Sequence, residues 1–327
     1  MRVTPSARAS RASTLTQLLG PPGLKLPGAS LTSQEPMSTI PNPPAAAKSV
    51  RAGDVARQLL SKFDERPERW LAGSPFEALD LRPGRVMVIG APPGAGKTTL
   101  ALQVTTNVLA LHPTLRCVVG NIETGPETLV EKMLARFATV PLDGIMNRNL
   151  IQEERNRITE AVERHAGVLD RMEFMPPPFT VPHLAKVMQS TGARLAIVDY
   201  AQRFVVDDGK DGRAQVDKVM GQVRELANMG AGVILISSVS RQRSSSGSAN
   251  YKKLSMASFR GSAELEFGAD SAYILDKTPE GIATLQCCKQ RFGDLRDVHL
   301  RFRGEFQRFD AGDPLDAFAA EKSGVAR

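Results

Sequence analysis

The sequence predicts an α/β fold in which a mostly parallel central sheet is flanked by helices. Three observations carry this expectation. Val86-Met87-Val88-Ile89-Gly90 is a short apolar run ending in glycine, as a buried strand does. A glycine-rich turn follows it directly, and then Leu100, Val104, Val108 and Leu111 recur at helical spacing. From Leu71 to about Phe309, apolar strand-like runs alternate with helical periodicity, the pattern of parallel strands joined by crossovers.

Taken in order, residues 1–50 contain eight prolines, much serine and alanine, and no hydrophobic periodicity, which reads as a disordered tail. Their arginine- and serine-rich, acid-poor start also matches an organellar transit peptide, but a plain flexible tail, or translation from Met37, is the favoured reading. Residues 54–65 read as a helix through Val55, Leu59, Leu60 and Phe63, with Asp54 as N-cap. Arg66-Pro67 sets it apart, so residues 51–70 are assigned to a linker helix. Strands are expected at 86–89, 117–122, 173–175, 195–199, 233–237, 272–275, 282–288 and 298–302. Val216, Val219, Met220, Val223 and Leu226 mark a strongly periodic helix. Residues 310–327 are polar and read as a flexible tail.

Composition bounds the function. The 42% hydrophobic content of 327 residues suits a globular core. No apolar run reaches the roughly 18 residues needed to span a bilayer, so no membrane partner is expected. Cys117, Cys287 and Cys288 each sit in an apolar strand-like run, which fits buried thiols in a reducing cytoplasm better than disulfides. Four scattered histidines make a zinc centre improbable. The net charge of +7 is unevenly placed. Residues 1–50 hold five basic residues and one acid, so residues 51–327 carry only +3. Any nucleic-acid contact must therefore come from a local patch.

The glycine-rich turn itself, Ala91-Pro92-Pro93-Gly94-Ala95-Gly96-Lys97-Thr98 followed by Thr99, has the spacing of a phosphate-binding loop between strand and helix. Gly94 and Gly96 lack Cβ, so their N–H groups can close around a polyphosphate at a helix start. Lys97 would reach the β- and γ-phosphates and the Thr98 hydroxyl would hold Mg²⁺, making ATP with Mg²⁺ the expected ligand. Leu195-Ala196-Ile197-Val198-Asp199 ends a strand in a carboxylate. Such an Asp beside the loop serves the metal, although taken alone it would read as a turn residue or cap. Glu123 also follows an apolar strand. It is either the base that activates the attacking water or a cap for the helix starting near Pro126, and periodicity leaves the two even.

Lys289 and Arg291 close another strand at positions i and i+2, so they project from one face as a two-pronged cation or stand as two solvated charges. Residues 241–263 hold Arg241, Arg243, Lys252, Lys253 and Arg260 without an acid. This is either a solvated loop or a mobile nucleic-acid loop, its cations on phosphates and Tyr251 stacked on a base.

Several segments resemble DnaB-type replicative helicases. Ile122-Glu123-Thr124-Gly125-Pro126-Glu127 through Arg136 is similar to the segment after their second strand. Val198-Asp199-Tyr200-Ala201-Gln202 resembles their Val-Asp-Tyr-Leu-Gln. Arg260-Gly261-Ser262 through Asp270, Lys289-Gln290-Arg291-Phe292-Gly293, and Phe302-Arg303-Gly304-Glu305-Phe306 through Phe309 match further family segments in order. The resemblance spans about residues 71–309. It implies a RecA-like ATPase core that assembles as a homohexameric ring on single-stranded DNA, with ATP between subunits, acting in DNA replication. It implies that Glu123 is the catalytic base, that Lys97 and Thr98 bind phosphate and Mg²⁺, and that Asp199 holds the metal. Lys289 and Arg291 would reach the neighbouring subunit's site, and the 241–263 loop would face the channel. A RecA-like DNA-stimulated ATPase in regulation or recombination, without unwinding, is the alternative. Two departures stand out. Ser238 occupies the place of the family's usual Gln, and residues 1–70 hold no counterpart of the family's helical primase-binding domain. Primase and loader partners, and the polarity of movement, stay unspecified.

Overall fold

The computed structural model describes residues 50–204, 212–239, 242–243, 249–250 and 263–315. The chain divides into two compact units, one ending at Glu65 and one beginning at Arg66. In the first, α1 (Ala52–Leu60) leaves Val55, Leu59, Leu60 and the following Phe63 exposed. Its N-cap is Arg51, not Asp54. Asp54 lies within the first turn, where its charge complements the helix N-terminus and pairs with Arg57 at 2.5 Å.

The second unit is built on β1 (Val86–Ala91), β2 (Cys117–Asn121), β3 (Met172–Phe174), β4 (Leu195–Asp199), β5 (Gly232–Ser238), β8 (Ser271–Lys277), β9 (Ile282–Gln290), β10 (Val298–Arg303) and β11 (Arg308–Ala311). They form one sheet in the order β11-β10-β9-β8-β1-β5-β4-β2-β3. From β8 through β3 every pairing is parallel, while β9, β10 and β11 are antiparallel. β6 (Gln242–Arg243) and β7 (Ala249–Asn250) pair separately. Each expected strand coincides with an observed one to within a residue or two.

β1, β2 and β4 are buried at every residue, which is why they read as unbroken apolar runs. Alternate side chains serve two cores. Met87 and Ile89 pack with Leu100, Val104, Val108 and Leu109 of α2 (Lys97–Leu111) and with Leu129 and Met133 of α3 (Pro126–Ala138). Val86 and Val88 pack on the other face with Leu184 and Met188 of α6 (Val181–Thr191) and Val216, Val219, Met220 and Val223 of α7 (Gly212–Asn228). α4 (Leu142–Met146) and α5 (Gln152–Leu169) lie between α3 and β3 in the chain, and α8 (Ala263–Gly268) precedes β8.

Both ends of the second unit reach past the sequence boundaries of 71 and 309. Trp70 is 1% exposed, bridges Leu81, and lies where a Cβ on Gly232 would fall 2.3 Å from its ring. A buried aromatic of that size belongs to the core, not to a linker. At the other end β11 runs to Ala311, and Gln103 of α2 clasps it through both amide atoms. Gln103 Nε2 donates to the Phe309 carbonyl at 2.7 Å, and its Oε1 accepts the Phe309 N–H at 2.8 Å. Among the described residues no helix is long and apolar enough to cross a membrane.

Candidate functional site

In a parallel sheet the loops after the strands share one edge, and that is where ligands bind. Here the register brings Asn121 level with Asp199, and Ala91 level with Ser238. Gly94 and Gly96 adopt φ of +77° and +95°, which a residue with a Cβ reaches only under strain. Gly96 is the N-cap of α2, and the ring of Phe309 lies 3.1 Å from where its Cβ would be. The first-turn N–H groups of Lys97, Thr98 and Thr99 have no intrahelical carbonyl, so they present donors to an anion. Lys97 Nζ lies within the loop, donating to the carbonyls of Ala91 at 3.2 Å and Pro92 at 3.1 Å. Burial lowers its pKa, and the charges of Asp199 and Glu123 oppose that shift. The Thr99 hydroxyl points elsewhere, donating to Gln307 Oε1 at 2.8 Å, so this residue offers the ligand its backbone N–H.

Asp199 is 3% exposed. Its Oδ2 accepts the Thr98 hydroxyl and Asn121 Nδ2, each at 2.6 Å. Burial pushes its pKa up to about 6, against the stabilising bond from Thr98. A carboxylate and a hydroxyl converging at the end of the loop are a hard oxygen set, the donor chemistry that Mg²⁺ takes. The residues therefore fit the metal.

Asn121 is a site residue that the sequence reading passed over. Its Oδ1 accepts the N–H groups of Glu123 at 3.0 Å and Thr124 at 2.8 Å, while its amide holds Asp199. It thus fixes both the turn carrying Glu123 and the Asp199 carboxylate. The signal was a lone amide inside an apolar strand. Glu123 does not cap α3, whose N-cap is Gly125 without a side-chain bond. Its exposed carboxylate instead acts electrostatically on both Lys97 and Asp199.

At the next strand end, Gln202 Nε2 donates to Ser237 Oγ at 2.8 Å and its Oε1 accepts the Ser238 N–H at 3.4 Å. The carboxamide at this edge comes from β4's side, where the chain has serine on β5.

Lys289 and Arg291 stand elsewhere. Gln290 is level with Ser271, and Ser271 with Met87, so both cations lie at the start of β1, not at its end. Five residues of strand separate that level from the loop, roughly 16 Å at about 3.3 Å per residue. Both bond the Phe267 carbonyl, Arg291 at 3.0 Å and Lys289 at 3.4 Å, so they do share one face. Phe267 and Phe292 are exposed beside them, at 66% and 51%. Of the basic loop, Arg241, Tyr251, Lys252 and Lys253 lie outside the described residues. Arg243 belongs to β6, where its backbone pairs with Ala249.

The profile of the DnaB-like helicase C terminal domain matches residues 77–311. The replicative DNA helicase DnaB of Haemophilus influenzae is 25% identical over 273 residues, covering 77% of this chain and 58% of that protein. Its namesake in Leifsonia xyli subsp. xyli is 26% identical, covering 72% of this chain and 53% of its own. The chain thus spans little more than half the length of these curated relatives. Among solved structures, an isolated ATPase domain superposes with a TM-score of 0.69 at 18% identity, covering 81% of this chain and all of that one. A DnaB-like replicative helicase studied with primase gives a TM-score of 0.66 at 18% identity, over 80% of this chain and 67% of its own.

Proposed function

The chain belongs to the DnaB-like helicase C-terminal domain family, and from that premise we propose that it is an ATP-driven helicase or translocase acting in DNA replication. It works in the cytoplasm as a homohexameric ring on single-stranded DNA and hydrolyses ATP between subunits. The observation that carries this reading is the convergence of Lys97, Thr98, Asn121, Glu123 and Asp199 at one sheet edge, with Arg291 at the other.

The loop N–H groups and Lys97 hold the β- and γ-phosphates of ATP. Mg²⁺, held by Thr98 and Asp199, would neutralise phosphate charge. Glu123, on the turn that Asn121 fixes, accepts a proton from the water that attacks the γ-phosphate. The distance of Arg291 from its own loop suits a group that serves the next subunit, where it balances charge on the equatorial oxygens. Exposed Phe267 and Phe292 beside it suit a face that a second copy covers. Arg241, Arg243, Lys252 and Lys253 follow DNA phosphates and Tyr251 stacks on a base.

The test is ATP turnover with and without a single-stranded oligonucleotide, together with strand separation on a forked duplex. Stimulation with unwinding supports the reading. Stimulation without unwinding supports the regulatory or recombination ATPase instead, and absence of both removes the motor altogether.

A further inference from the structure

Asp270 is 4% exposed, and its carboxylate meets four residues, Arg85, Val86, Arg224 and Arg291. Its Oδ2 accepts the Val86 N–H at the start of β1 at 2.9 Å and Arg224 Nη1 from α7 at 2.5 Å. Its Oδ1 lies 3.6 Å from Arg85 Nη1 and accepts Arg291 Nη1 at 3.3 Å. Its backbone takes part as well. The Asp270 carbonyl accepts the Arg291 N–H at 2.8 Å, and the Asp270 N–H donates to the Val86 carbonyl at 2.9 Å. Arg224 adds bonds to the carbonyls of Gly84 at 2.6 Å and Gly268 at 3.4 Å. Arg85 stacks over the Phe292 ring at 3.3 Å from its centroid.

This arrangement exceeds what burial of a carboxylate requires. Arg224 alone is close enough to balance the charge, yet the second oxygen is turned to a guanidinium that is itself nearly half exposed. Arg291 is gripped at three points, by the Asp270 side chain, the Asp270 carbonyl and the Phe267 carbonyl. Its Nη1 bonds Asp270 and its Nη2 the Phe267 carbonyl, so both prongs of the fork are held and the guanidinium plane is fixed, while each nitrogen keeps a second N–H donor.

We propose that Asp270 is the positioning residue for Arg291, orienting its guanidinium toward the nucleotide of the adjacent subunit and tying it to the first residue of the phosphate-loop strand. This rests on the reading of Arg291 as acting between subunits. Asp270 does not touch the nucleotide. It removes the rotational freedom that an unanchored arginine would lose in the transition state, so its contribution falls on kcat.

The experiment mixes inactive or weakened full-length subunits and measures ATP turnover in rings shown to be mixed. Lys97→Ala with Arg291→Ala is the control, because it forms interfaces with both an intact loop and an intact arginine. No recovery there overturns the between-subunit reading itself. With that control positive, Asp270→Asn should recover activity with Lys97→Ala and fail to recover it with Arg291→Ala, because both partners of the second pair lack an oriented arginine. Alone, Asp270→Asn should lower kcat about 10²-fold at unchanged KM, the scale of a misplaced catalytic group. Recovery between Asp270→Asn and Arg291→Ala, or none with Lys97→Ala, overturns the proposal. If Asp270→Asn does not fold, Arg291→Lys carries the test. It keeps the charge but cannot keep the grip, so it should pair like Arg291→Ala, and full activity of Arg291→Lys overturns the proposal.

Discussion

Asp199 and Asp270 are equally buried, at 3% and 4% exposure, but stand at opposite edges of one sheet in opposite company. Asp199 has a hydroxyl and a carboxamide on one oxygen, both neutral donors, and burial pushes its pKa up to about 6. Asp270 has three guanidinium groups and a backbone N–H. Neutral donors orient a carboxylate without cancelling its charge, which suits a site built to receive a cation. Guanidinium groups cancel the charge and fix geometry, which suits a joint. Two acids of the same type, each adjoining an apolar strand, are therefore separated in role by what their oxygens face.

The largest effects are expected at the Asp199 edge. Lys97→Ala should abolish nucleotide binding, whereas Glu123→Gln should bind ATP normally and lose about 10²–10⁴-fold in kcat, the range for general-base removal. Equilibrium binding of a fluorescent ATP analogue beside turnover separates the two, and turnover retained by Glu123→Gln would remove it from the chemistry.

Next in size, Arg291→Ala should leave ATP affinity intact and lower turnover by about 10³-fold or more, the worth of an arginine supplied between subunits. A matching loss of ATP affinity would place Arg291 in its own subunit's binding energy and collapse the contrast between edges.

Stability sharpens the contrast further. Asp270→Asn should destabilise the protein by about 3–5 kcal/mol in denaturant unfolding, because the arginines around it lose their counter-charge. Asp199→Asn should act in the opposite direction without magnesium. A folded-state pKa of about 6 lies above the ordinary carboxylate value, so the stability this group contributes is complete below about pH 4 and lost as pH rises through 6. The Asp199→Asn variant should match the parent near pH 4 and exceed it by up to roughly 3 kcal/mol at pH 7. A pH-independent difference between the two would contradict the burial of a titrating carboxylate.

The smallest effect lies off both edges. Replacing Arg243, Lys252 and Lys253 with alanine should flatten the salt dependence of single-stranded DNA binding by roughly two log–log units, at about 0.7 per lost contact. Basal ATPase should persist. An unchanged slope would put the DNA path outside this loop.

Much of this was readable from the chain because the signals are local. The phosphate loop needs only glycines at two positions and a strand and helix on either side, and all of that lies within one stretch of sequence. The parallel strands announce themselves as unbroken apolar runs because both faces are buried. The antiparallel edge was less legible. β11 is short and half polar, and its place depends on Gln103, which is 206 residues away in the chain. Trp70 sits in a polar stretch that resembles a linker until Gly232 is seen beneath its ring.

The strand–loop–helix unit, the loop residues and the carboxylates at two strand ends are local features, legible because each follows from neighbours in the chain. Which groups meet is a matter of packing between distant segments. Thr98 reaches Asp199 across 101 residues, and Val86 reaches Asp270 across 184. Periodicity gives the face a side chain points to, but not what stands opposite it. That is fixed by strand order and register, which put Asn121 beside Asp199 and set Arg291 against Asp270 a strand's length from its own phosphate loop.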